Sequence, residues 1–208
     1  MIKIPQLKIS KAIKKELYRK ALHLSSLWIP LFIYLAHPGV SIIFFSALFI
    51  GNAIIEYGNY KKYPWARKTF GNIFFRILRN KETTHGRFQI SGSLYVILAA
   101  IGCTLMFSKS VAVISLSVML VSDTAAAIIG KLYGQRKIYK HKTLEGSLAF
   151  FLSALLINML CEPIYHFSYA GVIASAAATF TEIFEDKVDI DDNLSIPVVV
   201  GVILSILN

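Results

Sequence analysis

Residues 122–146 read SDTAAAIIGKLYGQRKIYKHKTLEG, which sets one carboxylate inside an apolar run with glycines and cations just behind it. An ionisable side chain in a membrane-length apolar helix is expensive, so Asp123 marks a functional site unless a neighbouring helix pairs with it for structural reasons. At about 100° per residue, Ala126, Ala127, Gly130 and Gly134 follow Asp123 broadly on one helix face. That face carries almost no side chain, so another backbone or a ligand can come close to it. Five basic residues are spread along the stretch behind it: Lys131, Arg136, Lys137, Lys140 and Lys142. A carboxylate for a divalent ion, a bare backbone and clustered cations together suit a metal–polyphosphate. The stretch is not a P-loop, because GKLYGQRK lacks the G-x-x-x-x-G-K-[ST] spacing and no strand precedes it; nor is it a dinucleotide fingerprint.

The end of the stretch, HKTLEG, adds a helix start. Thr143 can cap it, although Gly146 stands where a capping box would carry Glu or Gln. A helix N-terminus there adds positive partial charge for a phosphate. Glu145 is either a solvated interfacial carboxylate or part of the chemistry. Elsewhere, Arg19, Lys20 and His23 open the first apolar segment, Glu56 ends the second, and Glu182 and Asp192 flank the end of the sixth. Phosphoryl transfer asks a protein mainly for positioning and charge neutralisation. On that basis Asp123 is assigned to Mg²⁺ (or Mn²⁺), with Glu182 and Asp192 as further ligands, and Arg19, Lys20, Lys131 and Lys142 to phosphates. His23 has the best unperturbed pKa for a general base, with Glu145 and Asp192 as alternatives and a structural hydrogen bond as its plainer role. Asp186, Asp189, Asp191 and Asp192 form an acidic loop that either binds metal or pairs with the basic loops. Asn193 is a helix N-cap or a ligand.

These residues need a scaffold, and composition says which. The chain has 208 residues, 55% of them hydrophobic, and a mean hydropathy of +0.59, too apolar for an ordinary soluble domain. Several apolar stretches reach about 17–20 residues, enough for a helix to cross the hydrocarbon core. Seven are marked: 17–36, 40–57, 90–107, 111–130, 146–160, 165–184 and 194–207. The fold expected is an all-α polytopic transmembrane bundle in one domain over residues 1–208, with six to seven spans, the last being short. Residues 63–80 alternate apolar and basic positions at helical spacing and are expected to lie as an amphipathic helix on the cytoplasmic leaflet. With the N-terminus in the cytoplasm, all but one of the 22 Lys and Arg residues fall inside, the exception being Lys109. This bias explains the net charge of +10 without a nucleic-acid partner. It places every candidate residue at the cytoplasmic face. No A-x-A-like cleavage site follows the basic N-terminal segment 1–16, so no secretory signal is expected. Cys103 and Cys161 read as packing residues. Self-association as a homo-oligomer is left open.

SDTAAAIIGKLYGQRKI…HKTLEGSLAFF resembles the family of dolichol kinases, phytol kinases and CTP-dependent diacylglycerol kinases, itself similar to the CDP-diacylglycerol synthases. ELYRKALH at 16–23, HGRFQISGSLYVILA at 85–99 and TEIFEDKVDIDDNLSIPVVV at 181–200 resemble three further elements of that family, in order. The resemblance implies an integral-membrane kinase, of a bacterial inner membrane by its size, that transfers the γ-phosphoryl group of a nucleoside triphosphate to a membrane lipid alcohol, a prenol or diacylglycerol. It implies CTP as donor and magnesium as cofactor. It carries over onto Asp123, onto Gly130 and Lys131, onto Lys142, Thr143, Glu145 and Gly146, onto Arg19, Lys20 and His23, and onto Glu182, Asp192 and Asn193. The chain is shorter than the dolichol kinases and closer in size to bacterial and plastid-type prenol kinases. Two rival readings stand beside it. A cytidylyltransferase would attack the α-phosphorus with the same motif. A transporter or lipid-binding membrane protein would use Asp123 as an ion site, although the charges stop on one side.

Overall fold

Pro30 decides how the first apolar segment folds. It has no N–H, and its ring clashes with the carbonyl four residues back, that of Ser26. The helix therefore breaks there into α1 (Lys11–Ser25) and α2 (Trp28–Leu35). The break is a tight turn in which the Ser26, Leu27 and Ile29 amides bond to carbonyls three residues back, at 3.0, 3.1 and 2.8 Å. The single helix expected over 17–36 is thus two. The computed structural model describes residues 11–66, 68, 90–161, 169–188 and 190–207. From residue 69 on, the amphipathic helix expected at 63–80 lies outside them.

The other six apolar segments each form a helix. α3 (Pro38–Tyr60) starts on proline, where the missing N–H costs nothing, and His37 Nδ1 accepts the Gly39 amide at 3.2 Å. α4 (Gly92–Met106) follows, then α5 (Lys109–Tyr133), capped by Ser108. Residues Lys137–Tyr139 and Lys142–Thr143 pair antiparallel as β1 and β2, with Lys137 opposite Thr143 and Tyr139 opposite Lys142. This short hairpin, in a stretch expected to be a basic loop, is a local addition to a fold that is otherwise helical, as expected. α6 (Leu144–Leu160), α7 (Tyr169–Ile183), the single turn α8 (Glu185–Val188) and α9 (Asp192–Leu207) complete the chain.

α5 is the centre: it packs against α1, α2, α4, α6 and α9, while α3 lies at the edge against α4 and α2. Only α3 and α5, among the described residues, are long and apolar enough by themselves to cross a bilayer; α4, α6 and α9 are shorter apolar helices. Burial separates the two long ones. In α3 11% of the apolar window is buried inside the protein, in α5 61%, so α3 presents its side chains to the surroundings. α6 does the same with Leu148, Leu152, Leu156 and Leu160, one residue per turn. Such a surface suits hydrocarbon as solvent. Hydroxyls of Thr104, Ser117, Thr124, Ser153, Ser175 and Thr179 donate to carbonyls four residues back, which satisfies them within their own helices. Asn158 Nδ2 donates to Ser175 Oγ at 3.1 Å and ties α6 to α7.

Candidate functional site

Asp123 sits on α5 ten positions before its end and is 7% exposed. α1 crosses α5 there, and its one-turn spacing lines up Glu16, Arg19 or Lys20, and His23 along one side. Lys20, 2% exposed, donates to Asp123 Oδ2 in a buried ion pair. His23 Nε2 lies 3.3 Å from the same oxygen without forming a hydrogen bond. Arg19 turns instead to Glu16, at 2.6 Å, and Glu16 also lies 3.9 Å from the Lys131 ammonium at the end of α5. Burial raises the Glu16 pKa, but Arg19, Lys131 and Lys20 together outweigh it and hold the carboxyl below its ordinary value. The lysine assigned to phosphate and the aspartate assigned to metal therefore neutralise each other, as a buried charge requires.

A second cluster forms where the hairpin meets α7 and α8. The Lys142 ammonium donates to Glu182 Oε1 at 2.6 Å and to Glu185 Oε2 at 2.9 Å. Burial pulls the Lys142 pKa down, yet the two carboxylates outweigh it and hold it above the ordinary lysine value. Burial and the neighbouring Asp192 push Glu185 up to about 7, against the pull of Lys142. Glu182 is 4% exposed and Asp192 5%, and Glu182 is within electrostatic reach of both Asp123 and Asp192. The hairpin is fixed there by Tyr139, whose ring lies 5.4 Å from that of Phe184, with the Lys187 ammonium 5.5 and 5.0 Å from the two centroids.

Between the clusters, the bare face of α5 meets α6. A Cβ on Gly146 would lie 3.0 Å from the Ala126 carbonyl and 3.2 Å from the Gly130 Cα. The closeness expected of this face is thus taken up by α6 itself. Thr143 Oγ1 accepts the Gly146 amide at 3.2 Å and caps α6 as its position suggested. Glu145 faces the other way. Its carboxylate accepts the Gln135 amide at 3.1 Å and the Arg136 amide at 3.3 Å, just past the end of α5. The hydrogen bond from its own amide, joined by those from Gln135 and Arg136, lowers its pKa against the opposing effect of burial.

Asn193 is not the cap of α9. Asp191 is: its Oδ1 accepts the Asn193 amide at 3.1 Å and the Asn193 side-chain amide at 2.5 Å. Asn193 is buried beside Gly92, at the start of α4. There, Glu56 of α3 accepts both the amide of Ser91, at 3.2 Å, and its hydroxyl, and Ser91 Oγ is 2.7 Å from Ser93 Oγ.

The structure thus brings together Lys20, His23 and Asp123; Lys142, Glu182 and Asp192; and Gly130, Thr143 and Gly146. Arg19 and Lys131 meet only through Glu16, and Glu145 stands apart with the loop backbone. Sequence reasoning missed Glu16 and Glu185. Their spacing held a usable signal: Glu16 is one helical turn before Arg19 and Lys20, and Glu185 is three residues after Glu182.

No family model matches the chain, and no solved structure matches it. It is 33% identical over 187 residues to an uncharacterized protein of Rickettsia prowazekii, covering 88% of this chain and 89% of that one. It is 31% identical over 125 residues to a probable chloroplastic phytol kinase 1 of Glycine max, covering 52% of this chain and 41% of the kinase. It is 33% identical over 148 residues to CTP-dependent diacylglycerol kinase 1 of Saccharomyces cerevisiae, covering 66% and 47%. The matched region spans less than half the length of these two kinases.

Proposed function

The chain belongs to the same family as the Rickettsia prowazekii protein, and from its more distant likeness to phytol and CTP-dependent diacylglycerol kinases we propose that it is an integral-membrane lipid kinase. It transfers the γ-phosphoryl group of a nucleoside triphosphate, CTP by that likeness, to the hydroxyl of a membrane lipid alcohol, a prenol or diacylglycerol. The carrying observation is the buried ion pair of Asp123 with Lys20, 103 positions away, beside the second buried cluster around Lys142. An apolar bundle has no structural need for so many charges at one end.

Magnesium is bound in such sites by one or two carboxylates, completed by water and phosphate oxygens. Asp123 and Glu182 supply that number, and Glu182 Oε2 is buried without a hydrogen-bond partner. No group of three or more His, Cys, Asp or Glu that could hold a metal ion is found among the described residues; the proposed site is an open one that rests on Asp123 and Glu182, with Asp192 as a further carboxylate. A bound Mg²⁺ would supply neutralising charge for the phosphates. With a nucleotide bound, Asp123 would hold the metal and Lys20 would turn from that carboxylate to a phosphate. Lys142 does the same from its two glutamates, and Arg19 and Lys131 extend the cationic surface. Gly130, Thr143 and Gly146 hold the base of the loop, and Asp191, which accepts from Asn193, caps the start of α9. His23 Nε2, buried and without a hydrogen bond, accepts the proton of the attacking hydroxyl. In this reading the charged end faces the cytoplasm, where the nucleotide is.

The test is purified protein with γ-labelled CTP, ATP, GTP and UTP, each with prenols and diacylglycerol. Label enters lipid with at least one pair, and Asp123→Asn lowers that rate at least about 100-fold, the loss of one electrostatic group in a phosphoryl-transfer site. Label entering lipid only from α-labelled CTP, with phosphatidate in place of the alcohols, would make it a cytidylyltransferase instead. Full activity in Asp123→Asn would remove the metal assignment.

A further inference from the structure

The far end of α3 carries a feature that the proposed reaction does not use. Along its outer side runs an apolar groove of about 380 Å³. Two rows one turn apart form its floor, Phe49, Ala53 and Tyr57, and Ile50, Ile54 and Gly58. Nine helical steps make it roughly 13 Å long, nearly half of the ~30 Å hydrocarbon core. The opposite wall is Tyr63 and Trp65, folded back after the helix ends. Gly58 permits this: a Cβ there would lie 2.8 Å from the Ala66 Cβ and 3.1 Å from the Trp65 ring.

The turn that folds the wall back carries two lysines, and Lys61 lies over Tyr57 of the groove. The Lys61 amide donates to the Tyr57 carbonyl at 2.9 Å, that of Lys62 to Asn59 at 3.0 Å and that of Tyr63 to Gly58 at 2.9 Å, a Schellman-type helix end. Such an end wants glycine in the left-handed position, and here it is Lys62, with φ 63°. The chain holds a cation where backbone preference argues against one. Lys61 lies beside it, its ammonium 5.7 Å from the Tyr57 and Tyr60 rings. The neighbouring carboxylate Glu56 is buried and engaged by Ser91. α3 has 23 residues, about the thickness of the bilayer, so its Tyr60 end reaches headgroup level, where Tyr and Trp collect.

We propose that this groove binds an anionic phospholipid, one hydrocarbon chain lying between α3 and the Tyr63–Trp65 wall and the headgroup phosphate on Lys61 and Lys62. The apolar groove accounts for the chain, and the two cations for the sign of the headgroup. The inference is independent of the kinase reading.

The test is native mass spectrometry of the full chain released from vesicles of equal phosphatidylglycerol and phosphatidylcholine. Retained phosphatidylglycerol exceeds phosphatidylcholine at least tenfold, from roughly fivefold per lysine. Lys61→Gln with Lys62→Gly abolishes the preference, and because glycine suits that backbone the variant unfolds no earlier than the parent. Ala53→Trp fills the groove and lowers retention of both lipids. Equal retention by the parent, or an undiminished preference in the double variant, overturns the proposal. So does an Ala53→Trp variant that unfolds earlier with unchanged retention, since the groove would then be filled by the protein's own chain.

Discussion

The Lys20–Asp123 pair can be weighed directly. Lys20 is 2% exposed and the Asp123 side chain 10%, so removing either partner leaves a charge with neither water nor a counter-ion. That costs about 3–5 kcal/mol, whereas replacing both charges with apolar groups of similar volume is close to neutral. Lys20→Met and Asp123→Asn are each expected to lose stability within that range. Lys20→Met with Asp123→Leu is expected within about 2 kcal/mol of the parent, for a coupling of about 3 kcal/mol or more, well above the scatter of independent sites. The assay is a four-member cycle of unfolding in mixed micelles of increasing SDS content, followed by circular dichroism. Single variants that each lose under about 0.5 kcal/mol, or losses that simply add in the double variant, would refute the pairing and with it the site's electrostatic logic.

Two further outcomes concern the hairpin and the carboxylates around it. Glu182→Gln with Glu185→Gln removes the carboxylates that hold the Lys142 pKa up, so its free amine fraction at pH 8 rises, tenfold for each unit the pKa falls. Acylation of Lys142, read by mass spectrometry, should speed up at least tenfold, and an unchanged rate would place the ammonium elsewhere. The Glu145 carboxyl is held below its ordinary 4.5. A depressed pKa means that its contacts are in place above 4.5 and are lost as pH falls through the lower folded value. Hydrogen exchange at the Gln135 and Arg136 amides, corrected for intrinsic rate, should lose protection in that window, and in Glu145→Gln already at pH 7.

Where an element was legible, the reason is hydrophobic length. The runs at 40–57, 90–107, 111–130, 146–160, 165–184 and 194–207 each became one helix, because an apolar run of that length has no cheaper way to satisfy its backbone. Thr143 was legible as a cap because capping is local. The break before Pro30 was readable too, but hydropathy averaged over the segment hid it. The hairpin was not readable. Its turn carries Lys140 at φ 47°, and KIYKHKT offers none of the Gly or Asn that announce such a turn. The site was half legible. Asp123 stood out as a charge in an apolar run, yet nothing in spacing says that Lys20 is its partner. Likewise the gap from Lys142 to Glu185 is bridged only by the docking of the hairpin on Phe184. Charge type is local information; charge pairing is tertiary.

The near-contact of Gly130 with Gly146 has a mechanical consequence. The segment from 131 to 145 leaves and re-enters the bundle at almost one point, so its ends are already joined and little closure entropy remains to be lost when it orders. Five like charges can then be crowded into a short excursion without the excursion drifting outward. A pinched base also removes hinge freedom. The backbone at Lys142, one residue before the capping Thr143, is held at that pinch, so a swing away from the glutamates is left to the lysine side chain.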